Sequence, residues 1–189
     1  AERIKEIVLS LRNFSRMDEA AIKAVNLHDG IDSTLTILNH RLKARHDRPP
    51  IAVIRDYREL PLVECCPGQL NQVFMNVLAN AIDALEERDA GRSTQEKNEH
   101  PSEIRIETEA AGDRIVVRIR DNGPGIPELI RERLFDPFFT TKPVGKGTGL
   151  GLSIGYQIIT EKHGGTITCN SKPGEGTEFE IVIPCRRAT

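Results

Sequence analysis

Between Pro67 and Arg88 the apolar residues Leu70, Val73, Phe74, Val77, Leu78, Ala81, Ile82 and Leu85 return in steps of three and four, the helical period. No other feature constrains the fold as much. An apolar stripe this long has to be laid against a second apolar layer, and the chain supplies one farther on. Glu103–Glu109 and Arg114–Arg120 alternate apolar and polar residues, as half-buried strands do, around a turn at Ala110-Ala111-Gly112-Asp113. A second hairpin joins Thr166–Ser171 to Thr177–Ile183 across Pro173-Gly174-Glu175-Gly176.

The remaining elements are shorter. Residues 1–17 carry the stripe Ile4, Ile7, Val8, Leu11 and Phe14 on one helix, and Ser15–Val25 reads as a connector. A helix starts near Leu27, runs through Ile31, Leu35, Leu38 and Leu42, and is stopped by Asp47-Arg48-Pro49-Pro50. Strands follow at Ile51–Tyr57 and Leu62–Cys65. The polar segment Asp89–Ser102, with Gly91, Asn98 and Pro101, reads as a mobile loop, and a last helix is expected from about Gly149 to Lys162. Regular βαβ alternation is absent. The expected fold is therefore α+β: a two-layer α/β sandwich with helices on one face of a mixed, mostly antiparallel sheet, preceded by an N-terminal helix.

Composition excludes several classes. At 189 residues and 38% hydrophobic content the chain can bury one good core. Charged residues are frequent but balanced at a net −2, so no nucleic-acid footprint or membrane-seeking patch is expected. No apolar run is long enough to span a bilayer, and no signal peptide opens the sequence. The four cysteines Cys65, Cys66, Cys169 and Cys185 lack Cys-x-x-Cys spacing and read as reduced thiols of a cytosolic domain. Because the chain begins inside an amphipathic pattern, it reads as a piece of a longer protein.

Three clusters carry chemistry. Asp121 shares strand parity with Ile115, Val117 and Ile119, which aims a carboxylate toward the apolar side at the strand's end. Asp-Asn-Gly is also an ordinary turn sequence. The glycines that follow, Gly123 and Gly125, favour the alternative: an acceptor for the exocyclic amine of a base, with backbone beneath it. Asn76, Asn80 and Asp83 recur at helical spacing on the stripe opposite the apolar face of the long helix. That could be a plain solvated face, yet asparagine is a mediocre helix former and its carbonyl suits a hard cation such as Mg²⁺ beside phosphate. Gly145 to Gly151 is a glycine-rich loop running into a helix, with Lys142 and Lys146 as cations within reach of phosphoryl oxygens. It does not follow the Walker pattern. Between the glycine segments, Phe135-Asp136-Pro137-Phe138-Phe139 reads as core or as the anchor of a hinged lid.

Four segments together resemble the sensor histidine kinases. Asn76-Val77-Leu78-Ala79-Asn80-Ala81-Ile82-Asp83-Ala84 is similar to their asparagine box and Asp121-Asn122-Gly123-Pro124-Gly125-Ile126 to the first glycine box. Phe135-Asp136-Pro137-Phe138-Phe139-Thr140-Thr141-Lys142 resembles the phenylalanine box, and Gly147-Thr148-Gly149-Leu150-Gly151-Leu152-Ser153 the second glycine box. His163-Gly164-Gly165 and Gly174–Phe179 resemble the family's closing hairpin. The resemblance implies the ATP-binding catalytic domain of a two-component kinase, in the Bergerat fold shared with gyrase-type ATPases, over residues 20–189. Residues 1–19 would be the end of the second helix of a dimerisation and phosphoacceptor domain. ATP and Mg²⁺ are the implied cofactors. Asp121 would bind the adenine amine, aided by Thr177 through water and lined by Gly123, Gly125 and Ile126. Asn80 would hold the metal, Asn76 would assist at the phosphates, and Lys142 would act with them in catalysis. Lys146, Gly147, Thr148, Gly149 and Leu150 would contact the phosphates, with Phe135, Gly151 and Leu152 bordering the nucleotide.

Two departures qualify the resemblance. Many members carry Lys or Arg where this chain has Asp83, which would instead order metal-bound water. The family's acceptor pattern, a His followed by an acidic residue and by Pro five positions after the His, fits none of the five histidines. His28 and His46 have the acidic neighbour but Ser33 and Ile51 in place of the Pro; His40, His100 and His163 lack it. The accepting His is expected upstream of residue 1. The implied partners are the dimerisation helices of a homodimeric kinase and a response-regulator receiver domain, with no nucleic acid and no membrane contact within these residues. The implied location is the cytoplasm, as a soluble kinase or as the cytosolic part of a membrane-anchored one. A serine-directed kinase of the same superfamily and a nucleotide-binding pseudokinase are the rival readings.

Overall fold

A computed structural model describes residues 21–142 and 149–186. The N-terminal stripe, Gly145, Lys146, Gly147 and Thr148 lie outside the described residues. The elements in order are β1 (Lys23–Val25), α1 (Leu27–Leu42), β2 (Ala52–Tyr57), β3 (Val63–Cys65), α2 (Pro67–Ala90) and α3 (Thr94–Glu99). They continue with β4 (Glu103–Ala111), β5 (Arg114–Asp121), α4 (Glu128–Arg131), α5 (Gly151–Gln157), a π-helical continuation of α5 (Ile158–Lys162), β6 (Thr166–Lys172) and β7 (Gly176–Pro184).

Five strands form one sheet in the order β2-β4-β5-β7-β6, in which only the β2–β4 pairing is parallel. The α+β expectation of helices on a mixed, mostly antiparallel sheet is met. Register makes lateral rows of inward residues. Ile106, Ile119, Phe179 and Cys169 form one row, and Thr108, Val117, Ile181 and Ile167 the next. Arg118 on the opposite face donates to Glu109 and Glu180 at 2.7 Å each, so that face is charged. The helices cover the apolar face. Helix α2 packs against β5, between α1 and α5, and Val73, Phe74, Val77, Leu78, Ile82 and Leu85 are at most 1% exposed. Burying side chains of this size contributes about 1.5–3 kcal/mol each before entropy is charged against it.

Three local expectations need correction. Lys23–Val25 is not connector but a strand, antiparallel to β3. Asp89–Ser102 is not a loop throughout. Ser93 and Glu96 form a reciprocal capping box that starts α3, and Asp89, 4% exposed, accepts from Ser102 Oγ at 2.7 Å and from Arg92 at 3.0 Å. The last helix starts at Gly151 rather than Gly149, whose φ of +66° is incompatible with a right-handed turn. On the polar stripe of α2, for which both readings stood open, Asn76, Asn80 and Asp83 are part-exposed and meet Gly151, Lys142 and Arg41. No disulfide joins the four cysteines, and no helix among the described residues is long and apolar enough to cross a membrane.

Candidate functional site: a nucleotide cleft along helix α2

Asp121 closes the third inward row of the sheet: Ile104, Asp121, Thr177 and Ser171 lie side by side across β4, β5, β7 and β6. The parity argument therefore holds, and the carboxylate is only 4% exposed. The turn reading is realised as well, for the Gly123 N–H donates to Asp121 Oδ1 at 2.8 Å. Burial pushes the carboxyl up to about 6, against the pull of backbone donors at Gly123 and Thr177 and of the more distant Arg88 and Arg120. A carboxylate this deep is electrostatically under-supplied and gains from a further neutral donor.

The surrounding backbone is pinned. Ser171 Oγ donates to the Gly176 carbonyl at 2.7 Å, accepts the Ile126 N–H at 2.8 Å, and lies 3.1 Å from Thr177 Oγ1. Gly125 adopts φ +72°, and a Cβ there would run into the Lys172 carbonyl, so loop and hairpin touch backbone to backbone. Gly123 abuts α2: a Cβ added to it would lie 3.4 Å from Ala84 Cβ. Ala84 is one turn beyond Asn80, about 6 Å along the axis. The turn after Asp121 and the asparagine-bearing helix therefore lie side by side.

Along that stripe, Asn76 Nδ2 donates to the Gly151 carbonyl at 2.8 Å, tying α2 to the start of α5. Asn80 Oδ1 accepts from Lys142 Nζ at 3.0 Å, and Lys142 also pairs with Asp83 Oδ2. Arg41 of α1 donates to Asp83 Oδ1 and to Glu86 Oε2, both at 2.5 Å. Burial works to raise the Asp83 carboxyl, but hydrogen bonds from Lys142 and Arg41 outweigh it and leave it below its ordinary value. The oxygens of Asn80 and Asp83 are a donor set that suits a hard cation. Yet no group of three or more His, Cys, Asp or Glu among the described residues could hold a metal. A cation here would have to arrive with phosphate oxygens as its other ligands.

Phe135 packs against the core with its ring 5.3 Å from Tyr156, and Phe139 lies under the Arg133 guanidinium at 4.4 Å. Phe138 is 74% exposed with a φ of +64°, and a Cβ on Gly149 would collide with its backbone. Gly149 thus sits against the phenylalanine segment, while Leu150, Gly151 and Leu152 lead into α5. Lys146, Gly147 and Thr148 lie outside the described residues. Arg41, Ser171 and Arg88 carry no local signal, since each meets the site only through tertiary contact. Arg88 reaches the Asn122 carbonyl, and its other terminal nitrogen donates to Ser102 Oγ at 2.8 Å.

A buried carboxylate at a strand end, a glycine turn beneath it and an asparagine-bearing helix beside it lie together on one side of a helix-backed mixed sheet. Residues 66–187 match the family described as histidine kinase-, DNA gyrase B- and HSP90-like ATPases, and the chain belongs to that family. More particularly, it is similar to sensor kinases. It is 37% identical to the sensor kinase CckA of Brucella abortus over 97% of this chain and 19% of that protein. With sporulation kinase E of Bacillus subtilis the identity is 31%, over 98% and 23%. The chain thus spans about a fifth of the length of these relatives. The catalytic domain of histidine kinase ThkA superposes with a TM-score of 0.70 at 30% identity, covering 88% of this chain and 97% of that domain. These likenesses place the chain among the ATPase-type domains of sensor histidine kinases.

Proposed function

We propose that this domain holds ATP together with Mg²⁺ in the α2 cleft and presents the γ-phosphoryl to a histidine that is none of the five in its sequence. The phosphoryl group then passes to an aspartate of a response regulator. Asp121 carries the reading. Its buried carboxylate needs another donor, and the amino group of adenine is one. Thr177, beside it in the row, would reach the base through water, and Gly123, Gly125 and Ile126 would line the base's flat side. Phosphoryl transfer asks a protein chiefly for position and charge. Lys142 brings a cation next to Asn80, and Asn76 keeps the start of α5 against α2. Bound metal would neutralise phosphate charge, with Asn80 Oδ1 as its protein ligand and Asp83 reached through its water shell. Lys146, Gly147, Thr148, Gly149 and Leu150 complete the phosphate contacts in this reading, with Phe135, Gly151 and Leu152 at the border.

The partner reading has separate support. ThkA has been crystallised in complex with the response regulator protein TrrA, and that kinase superposes with a TM-score of 0.66 at 26% identity over 97% of this chain and 48% of its own. We assign residues 1–19 to a helix of the dimerisation domain of a homodimeric parent kinase, residues 20–189 to the catalytic domain, and the whole to the cytoplasm. Calorimetry with ATP and magnesium tests the core of the proposal. Wild type binds, and Asp121→Asn loses affinity by about 100-fold or more, a cost of roughly 3 kcal/mol. Unchanged affinity in that variant overturns the adenine assignment. Incubation with labelled ATP leaves no acid-labile phosphate on this chain alone; a stable label of that kind would place the acceptor within it.

A further inference from the structure

Lys142 sits where a cation is wanted. Its ammonium touches Asn80 Oδ1, the oxygen assigned to the metal, and Asp83 Oδ2 on the next turn of α2. Lysine is a compact point charge with three donors, so at this place it does electrostatically what a hydrated divalent ion does. We propose that Lys142 is an internal placeholder: held by Asp83 and Asn80 in the nucleotide-free domain, it is replaced there by the nucleotide's divalent cation, and its charge is released to the phosphates. The inference rests on the functional reading above.

Two observations give the placeholder a defined strength. The pair is half-buried, with each side chain 34% exposed, so solvent screens it only in part. Arg41 shares Asp83, taking Oδ1 while Lys142 takes Oδ2. Arg41 is itself fixed from the other side by Glu86, which also meets Arg48 at 3.2 Å and Arg45 at 3.4 Å. The Asp83 carboxylate is therefore divided between a permanent partner on α1 and an exchangeable one on the loop after the phenylalanines. An aspartate at this position turns Lys142 from a free phosphate ligand into one that must first be displaced, which makes tight ATP binding conditional on the metal.

The test is a double-mutant cycle on the full chain, with ATP affinity measured by calorimetry in EDTA and in magnesium. Asp83→Asn is expected to raise metal-free affinity about fivefold, the worth of a half-buried ion pair, and to shrink the gain that magnesium confers. In a Lys142→Met background the same Asp83→Asn change should give no gain. An equal gain in both backgrounds would mean simple relief of charge repulsion and would overturn the placeholder, as would no gain in the single variant. A wild-type chain that binds no ATP, with or without metal, instead overturns the functional reading. Normal ATP binding with Asp83 and Lys142 uncoupled overturns only the placeholder.

Discussion

Asp121 is a carboxylate that the fold buries at a cost. Its carboxyl has an ordinary value of 3.8 and is raised to about 6 in the folded domain, with burial as the main cause. The folded state therefore binds the proton more readily than the unfolded chain. Its contribution to stability is largest below about pH 4 and is lost as pH rises toward 6, a swing of at most about 3 kcal/mol from this one group. Asp121→Asn should remove that swing. In the absence of nucleotide the variant should melt above wild type at pH 7 and close to it at pH 4. Parallel melting curves across that range would contradict the buried-charge account. Gly125 gives a second test at this scale. With φ +72° and a Lys172 carbonyl where a Cβ would go, Gly125→Ala should cost about 1–3 kcal/mol, read as a lowered urea midpoint. A neutral result would mean that the loop relaxes away from the hairpin.

Among the elements, α2 separates stability from the proposed ligand contacts across its width. Leu78 is fully buried, so Leu78→Ala should lose about 3 kcal/mol in denaturant unfolding. Asn80 is half-exposed with Lys142 as its partner, so Asn80→Ala should leave the unfolding midpoint close to wild type while lowering magnesium-dependent ATP affinity. Equal stability losses in the two variants would remove the distinction. This helix was legible in the sequence because its apolar period runs unbroken, and the two hairpins were legible because their alternation does. The asparagine stripe and Asp121 could be singled out for the same reason: periodicity fixes which way a side chain points. What could not be read there is contact. Arg41 reaches Asp83 from another helix and Ser171 meets Ile126 across a loop, and neither spacing nor composition encodes such meetings. Helix α3 was missed for a different reason. Its capping box, Ser93 to Glu96, is a local signal, but it is masked by a composition typical of loops.

At the scale of the whole molecule, β5 is the centre of the sheet, paired on both sides by β4 and β7, while β2 and β6 lie at the edges. Native-state hydrogen exchange should follow that order. The amides of β5 and of the buried half of α2 should be slowest, approaching the global unfolding free energy, and the edge strands should exchange through smaller openings. Uniform protection across all five strands would argue for a single cooperative unit. The one parallel pairing, β2 with β4, has α2 and α3 in the crossover between its strands. The helix that carries the candidate site is therefore also part of the connection that closes the sheet. Its two faces answer to different demands. The inward face is held to the shape of the strands beneath it, whereas the outward face meets Gly151, Lys142 and Arg41 from three separate segments. On the function proposed above, exchanges at positions 80 and 83 would alter metal or nucleotide preference while leaving the buried residues beneath them in place.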